Sequence, residues 1–257
     1  MEHELLLTKL FNDYLAGPVN AALSLVGMPT EARPWGNWLA VEVFVAIMIM
    51  LVALVIRGSL SADKPGGLQH FFESVYEFIK KSAADAGVEQ PDKYMAYFAT
   101  IFIFIASMNL IGIIPAFESP TMFVWVPAGL ALWTFLYFNV AGFYTNGLAY
   151  LKHFAGPIWW MAPLMFPIEI ISVFIRPMSL TVRLYGNMFA GEQVTLVFIT
   201  ITKLIVPVIF MGLHVAVGLV QAYVFTMLTM IYIAGATATH SHHGEGNNEE
   251  NVHAPVH

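Results

Sequence analysis

No cysteine occurs in the chain, which excludes disulfides and thiolate metal sites. Charge is nearly as scarce. Asp, Glu, Lys and Arg together make up 11% of the 257 residues, against roughly 25% in an average soluble domain. What charge there is sums to −6, a balance that argues against nucleic acid as a partner. The first residues, MEHELLLTKLFNDY, are short of apolar length and begin acidic rather than basic, so no cleavable signal peptide is expected. Hydrophobic side chains are abundant instead, at 58%, with 20 Phe, 10 Tyr and 6 Trp. A chain this apolar cannot hide its surface in one soluble core, and rings in such numbers suit the headgroup level of a bilayer.

The expected class is therefore all-α and polytopic. A membrane-crossing helix needs about 20 mostly apolar residues. Five stretches qualify, at about 38–56, 94–114, 122–150, 163–202 and 204–239. An amphipathic helix is expected at about 69–86, where Phe71, Phe72, Val75, Phe78 and Ile79 recur at helical spacing. Residues 1–37 form an N-terminal segment outside the membrane domain of 38–239, and residues 240–257 form a disordered tail rich in His and Glu. Five of the eleven Lys and Arg residues fall between the first two spans. The positive-inside rule then puts the N-terminus outside and the C-terminus in the cytoplasm. The last two stretches are too long to stand upright. Some 36–40 residues at 1.5 Å each reach roughly 55–60 Å, about twice the hydrocarbon thickness, so an antiparallel, steeply tilted hairpin is expected.

Charges within a span cost roughly 2.5–3.5 kcal/mol at its centre and are functional candidates for that reason. In the fourth span Glu169, Ser172, Arg176, Ser179, Arg183 and Asn187 are spaced by three or four residues, a polar stripe along one face. Glu192 is nine residues beyond Arg183 and on the opposite face. In the fifth span His214 and Gln221 share a face, with Gly218 between them. A hairpin folded about Lys203 brings Arg183 level with Gln221 and Glu192 level with His214. A Glu–His pair in a wet cleft exchanges protons near neutral pH. An arginine beside it holds its charge and stabilises any carboxylate opposite.

The run Arg176-Pro-Met-Ser-Leu-Thr-Val-Arg-Leu-Tyr-Gly-Asn-Met-Phe-Ala-Gly-Glu192 closely resembles the signature of subunit a of bacterial F-type ATP synthases. Met165-Phe-Pro-Ile-Glu-Ile-Ile-Ser172 and Leu219-Val-Gln-Ala-Tyr-Val-Phe-Thr-Met-Leu-Thr229 look like the flanking motifs of the same family. The resemblance implies a proton-translocating stator subunit in the bacterial inner membrane, forming two aqueous half-channels against a rotating c-ring. Arg183 would match the essential cation that faces the ring carboxylates, and Gln221 its partner. Glu192 and His214 would line the outward half-channel, while Glu169 and Ser179 correspond to the inward one. Asn187 would line the ring-facing surface, and Asn109 in the second span the outer channel or a helix–helix contact. The implied partners are the c-ring, the b-subunit peripheral stalk, the remaining synthase subunits and membrane lipid. No cofactor or metal is implied, and ATP chemistry belongs to other subunits, since no Gly-x-x-x-x-Gly-Lys loop occurs. The competing class, an ion-coupled secondary transporter, predicts an internal repeat that this sequence does not show.

Overall fold

The computed structural model describes residues 5–25, 27, 29–30, 33–59, 66–114, 117–147, 162–201 and 205–237. Among these the chain forms seven α-helices and one 3-10 turn, with no strand. They are α1 (Leu6–Leu25), α2 (Asn37–Ser59), α3 (Gly67–Asp85), α4 (Pro91–Ile111), the 3-10 turn Pro120–Met122, α5 (Trp125–Asn146), α6 (Ala162–Ile201) and α7 (Ile205–Thr237). Four segments are long and apolar enough to cross a membrane: Asn37–Gly58, Pro91–Ile111, Trp125–Asn146 and Val208–Thr237. The all-helical, polytopic class expected from composition is borne out. The His-rich segment 240–257 lies outside the described residues.

Helix boundaries follow local chemistry. The α3 helix ends at a glycine-mediated reversal: Gly87 has φ +82°, and the Val88 N–H donates to the Ala83 carbonyl at 3.1 Å. Four residues later Pro91 opens α4 at a position where its missing N–H costs nothing, followed by Asp92 in the positive first turn. Lys80 of α3 reaches Asp92 Oδ1 at 2.6 Å, tying the two helices together. That contact, chiefly the hydrogen bond, lifts the Lys80 ammonium above its ordinary pKa. One element lies where no span is expected. The α1 helix is docked by Asn12, whose Nδ2 donates to the Trp35 carbonyl at 3.2 Å and whose Oδ1 accepts the Trp35 N–H at 3.0 Å.

The core gathers around α7, which packs on α4, α5 and α6. One buried cluster joins Val45, Ile105, Leu180, Leu184, Ala222 and Phe225, and a second joins Ile79, Phe98, Phe138, Met230 and Ile233. Three threonines on the buried side of α7 each donate to the carbonyl four residues back: Thr226 to Ala222, Thr229 to Phe225 and Thr237 to Ile233. Such local bonds let hydroxyls sit in an apolar interior without an unmet partner.

The α6 helix has 40 residues, roughly 60 Å at 1.5 Å per residue, against a hydrocarbon core of about 30 Å. Ile171 near its start and Ile201 at its end are both exposed, so an upright α6 would carry bare apolar side chains into water.

Candidate functional site

Among the described residues, the broad side of α6 turned away from the bundle has no covering helix: Met178 and Val182 are each 64% exposed, and Phe174, Ile175 and Val194 are exposed as well. Arg183 stands exposed toward one edge of that side, in line with Asn187, Ala190 and Val194. Its guanidinium donates to Ser179 Oγ one turn earlier, at the long limit of 3.5 Å. A fixed cation on an apolar, membrane-depth surface is costly unless something anionic meets it. Seven residues before it, Arg176 is half-buried over the Tyr232 ring of α7 at 5.4 Å, a cation–π contact that ties the two long helices. Glu169 lies near the start of α6, and its side chain is outside the described residues.

Across the hairpin the pairing is specific. Asn187 Nδ2 donates to Gln221 Oε1 at 2.7 Å. Gln221 is only 3% exposed, and its own Nε2 has no hydrogen-bond partner among the described residues. The hydrogen bond of Gln221 therefore goes to Asn187, one turn beyond Arg183, rather than to the arginine that sequence symmetry set beside it. Further along, the imidazole of His214 lies over Gly191, where a Cβ would come within 2.7 Å of Nδ1. His214 is 8% exposed, and its Nε2 is likewise unpartnered among the described residues.

Two cavities meet at this histidine. The larger, about 460 Å³, is walled mostly by apolar side chains of α6, α7 and the α4–α5 connector, and it holds Glu118, Glu192 and His214. The smaller, about 240 Å³, opens on the exposed face and is lined by Asn187, Ala190, Gly191, Val194, Leu213 and His214, among others. Glu192 and His214 thus share a cavity, and His214 connects that cavity to the Arg183 side of the hairpin. Glu118 escaped the sequence argument; its one signal is an acid within the short, Lys- and Arg-free connector Pro115–Pro120.

Asn109 is not among the cavity-lining residues. It is 1% exposed and fully engaged: Nδ2 donates to the Gly218 carbonyl at 2.9 Å, and Oδ1 accepts from Thr121 Oγ1 at 2.7 Å. Ser119 completes this knot with its one hydroxyl proton, which has the Met108 carbonyl at 3.0 Å and Thr121 Oγ1 at 2.8 Å as alternative acceptors. The knot fixes the α4–α5 connector against the middle of α7. Among the described residues no group of three or more His, Asp or Glu is placed to hold a metal ion.

Long apolar helices around a shared core define a polytopic helical membrane protein, one with an exposed cation on α6 and a cavity that holds an acid and an imidazole. Comparison with known proteins makes the class particular. A family profile described as "ATP synthase A chain" matches residues 39–234. The ATP synthase subunit a of Solibacter usitatus (strain Ellin6076) is 52% identical over 91% of this chain and all of its own length. That of Koribacter versatilis (strain Ellin345) is 47% identical over 94% of this chain, again over its whole length. A more distant relative from Geobacter sulfurreducens (strain ATCC 51573 / DSM 12127 / PCA) is 37% identical over 92% of this chain and 98% of its own. The chain belongs to the ATP synthase A chain family. It is a multi-pass membrane subunit of the synthase, serving proton transport and ATP synthesis without itself being the catalytic subunit.

Proposed function

We propose that this chain is the stator half of a proton path whose other half is a rotating ring of carboxylate-bearing subunits. The supporting observation is that Arg183 is exposed on α6 in line with Asn187 and Ala190, and that the Glu192–His214 cavity meets the groove of Asn187 and Ala190 at His214. The cavity is the outward half-channel. Protons arriving from outside are exchanged by Glu192 and His214, which share that cavity, and are handed on from there. They reach a ring carboxylate lying in the groove of Asn187, Ala190 and Leu213. Arg183 cannot give up its proton, so it is a barrier rather than a relay. It stabilises the ionised carboxylate, favouring release on the inward side, where Glu169 and Ser179 line the exit. Asn187, held by Gln221, keeps the surface beside the arginine in a fixed shape.

In this reading the ring covers the bare face of α6, the N-terminus lies outside and the C-terminus in the cytoplasm. A b-subunit stalk and the remaining synthase subunits complete the stator, and the tail 240–257 stays outside the membrane domain. The native chain has no cysteine, so single cysteines can be read without background. A chain carrying Ala190→Cys is expected to form a disulfide with a cysteine placed beside the ring's membrane carboxylate. Absence of that adduct in an intact, copurified complex would count against the ring-facing assignment.

A further inference from the structure

The cavity behind His214 holds a third titratable group that neither the sequence argument nor the path described so far uses. Glu118 is half-buried in its wall, on the α4–α5 connector, facing a space otherwise bounded by side chains such as Leu5, Ile113, Met122 and Met211. From α6 this space receives Glu192 and from α7 it receives His214; Leu5, just before α1, and Gly112 and Ile113, just past α4, bring no titratable group. His214 is more than nine-tenths buried, and its Nε2 has no hydrogen-bond partner among the described residues.

The position of Glu118 is fixed rather than accidental. The next residue, Ser119, is 1% exposed, with the Met108 carbonyl and Thr121 Oγ1 as alternative acceptors of its hydroxyl proton. Thr121 in turn bonds Asn109, which bonds the backbone of α7 at Gly218. The knot that locks the connector onto α7 therefore carries a carboxylate into the same cavity as His214, four residues earlier on that helix.

Resting on the reading of this cavity as the outward half-channel, we propose that Glu118 is its proton-collecting residue. Its carboxylate takes a proton from outside water at the cavity mouth and passes it through cavity water to Glu192 and His214. No bond other than O–H is made or broken, and the carboxylate returns to its ionised form. Such a collector matters most where protons are scarce, so its loss should weigh more heavily as the outer solution becomes alkaline.

The test uses the whole synthase in proteoliposomes, with ATP synthesis driven by an imposed proton gradient and the pH on the cavity side varied between about 6 and 8, the range where imidazole and raised carboxyl groups titrate. Glu118→Gln is expected to slow synthesis severalfold, with the fold-loss growing as that pH rises, and Glu118→Asp to keep most of the rate. Parental rates for the Gln variant across the range, or equal losses for Asp and Gln, would overturn the proposal. If the Gln variant does not assemble, Glu118→Asp and Glu118→Asn replace the pair: rate kept by Asp and lost by Asn supports the assignment, and equal rates overturn it. Glu192→Gln is measured in parallel. A slowed Glu192→Gln with an unaffected Glu118→Gln removes only the collector, whereas no effect from either removes the half-channel itself.

Discussion

A Cβ placed on Gly191 would lie 2.7 Å from Nδ1 of His214, closer than real carbon atoms approach, so the imidazole occupies the space that only a glycine leaves. This close approach is what lets His214 sit beside Glu192 and connect the two cavities. Gly191→Ala should therefore push the ring aside without disturbing either helix, because alanine is a better helix former than glycine. Misplacing a relay group by about 1 Å can cost up to ~100-fold in rate, and a loss of roughly tenfold or more in coupled proton pumping is expected here. Pumping by reconstituted synthase, with the amount of this chain in the purified complex as control, reads the effect.

Asn109 makes a different prediction because both ends of its amide are engaged inside the protein. Asn109→Ala removes the buried bonds to the Gly218 carbonyl and the Thr121 hydroxyl, which keep their helical and Ser119 partners. Each bond lost costs about 0.5–1.5 kcal/mol, so the variant should lose stability before it loses any step of proton transfer. Thermal inactivation of the detergent-solubilised complex should shift to lower temperature. Pumping by the fraction that remains assembled should stay close to that of the parent, which would separate a structural tie from a group in the proton path.

The α3–α4 tie carries a pH signature. Asp92 raises the Lys80 pKa above its ordinary 10.5, so the pair stabilises the native state fully below that ordinary value. The contribution is lost as pH rises through the higher folded value. Both groups are exposed, so the tie is weak and screened by salt. Asp92→Asn is expected to change thermal stability only slightly at pH 7–8, and that small difference should shrink further in high salt and vanish at strongly alkaline pH. A large effect at neutral pH would mean that α3 is held by this contact instead of by the apolar packing of Ile79 and Ala83.

Much of this could be read from residues alone because the bilayer imposes simple rules. Mostly apolar runs of about 20 residues or more announced α2, α4 and α5, and four-residue spacing placed Arg183 and Asn187 on one face. What escaped depends on contacts between distant segments. The α1 helix has little apolar run of its own and is held by Asn12 gripping the backbone of Trp35, a pairing across 23 residues that periodicity does not encode. The partner of Gln221 turned out to be Asn187, because hairpin symmetry about Lys203 fixes which turns face each other but not which side chain of a turn reaches across. Glu118 was invisible for a third reason. Its importance comes from a connector folded back onto α7 by Ser119, Thr121 and Asn109, a knot closed over a separation of 109 residues between Asn109 and Gly218.

The central claim is that Arg183 is the fixed cation separating the two sides of the path, and one substitution tests it most directly. Arg183→Ala synthase is reconstituted into proteoliposomes, and ATP-driven acidification is followed with a pH-sensitive dye, with assembly confirmed by copurification of this chain. Abolished pumping in an intact complex is the result predicted. Undiminished coupled pumping would contradict the account.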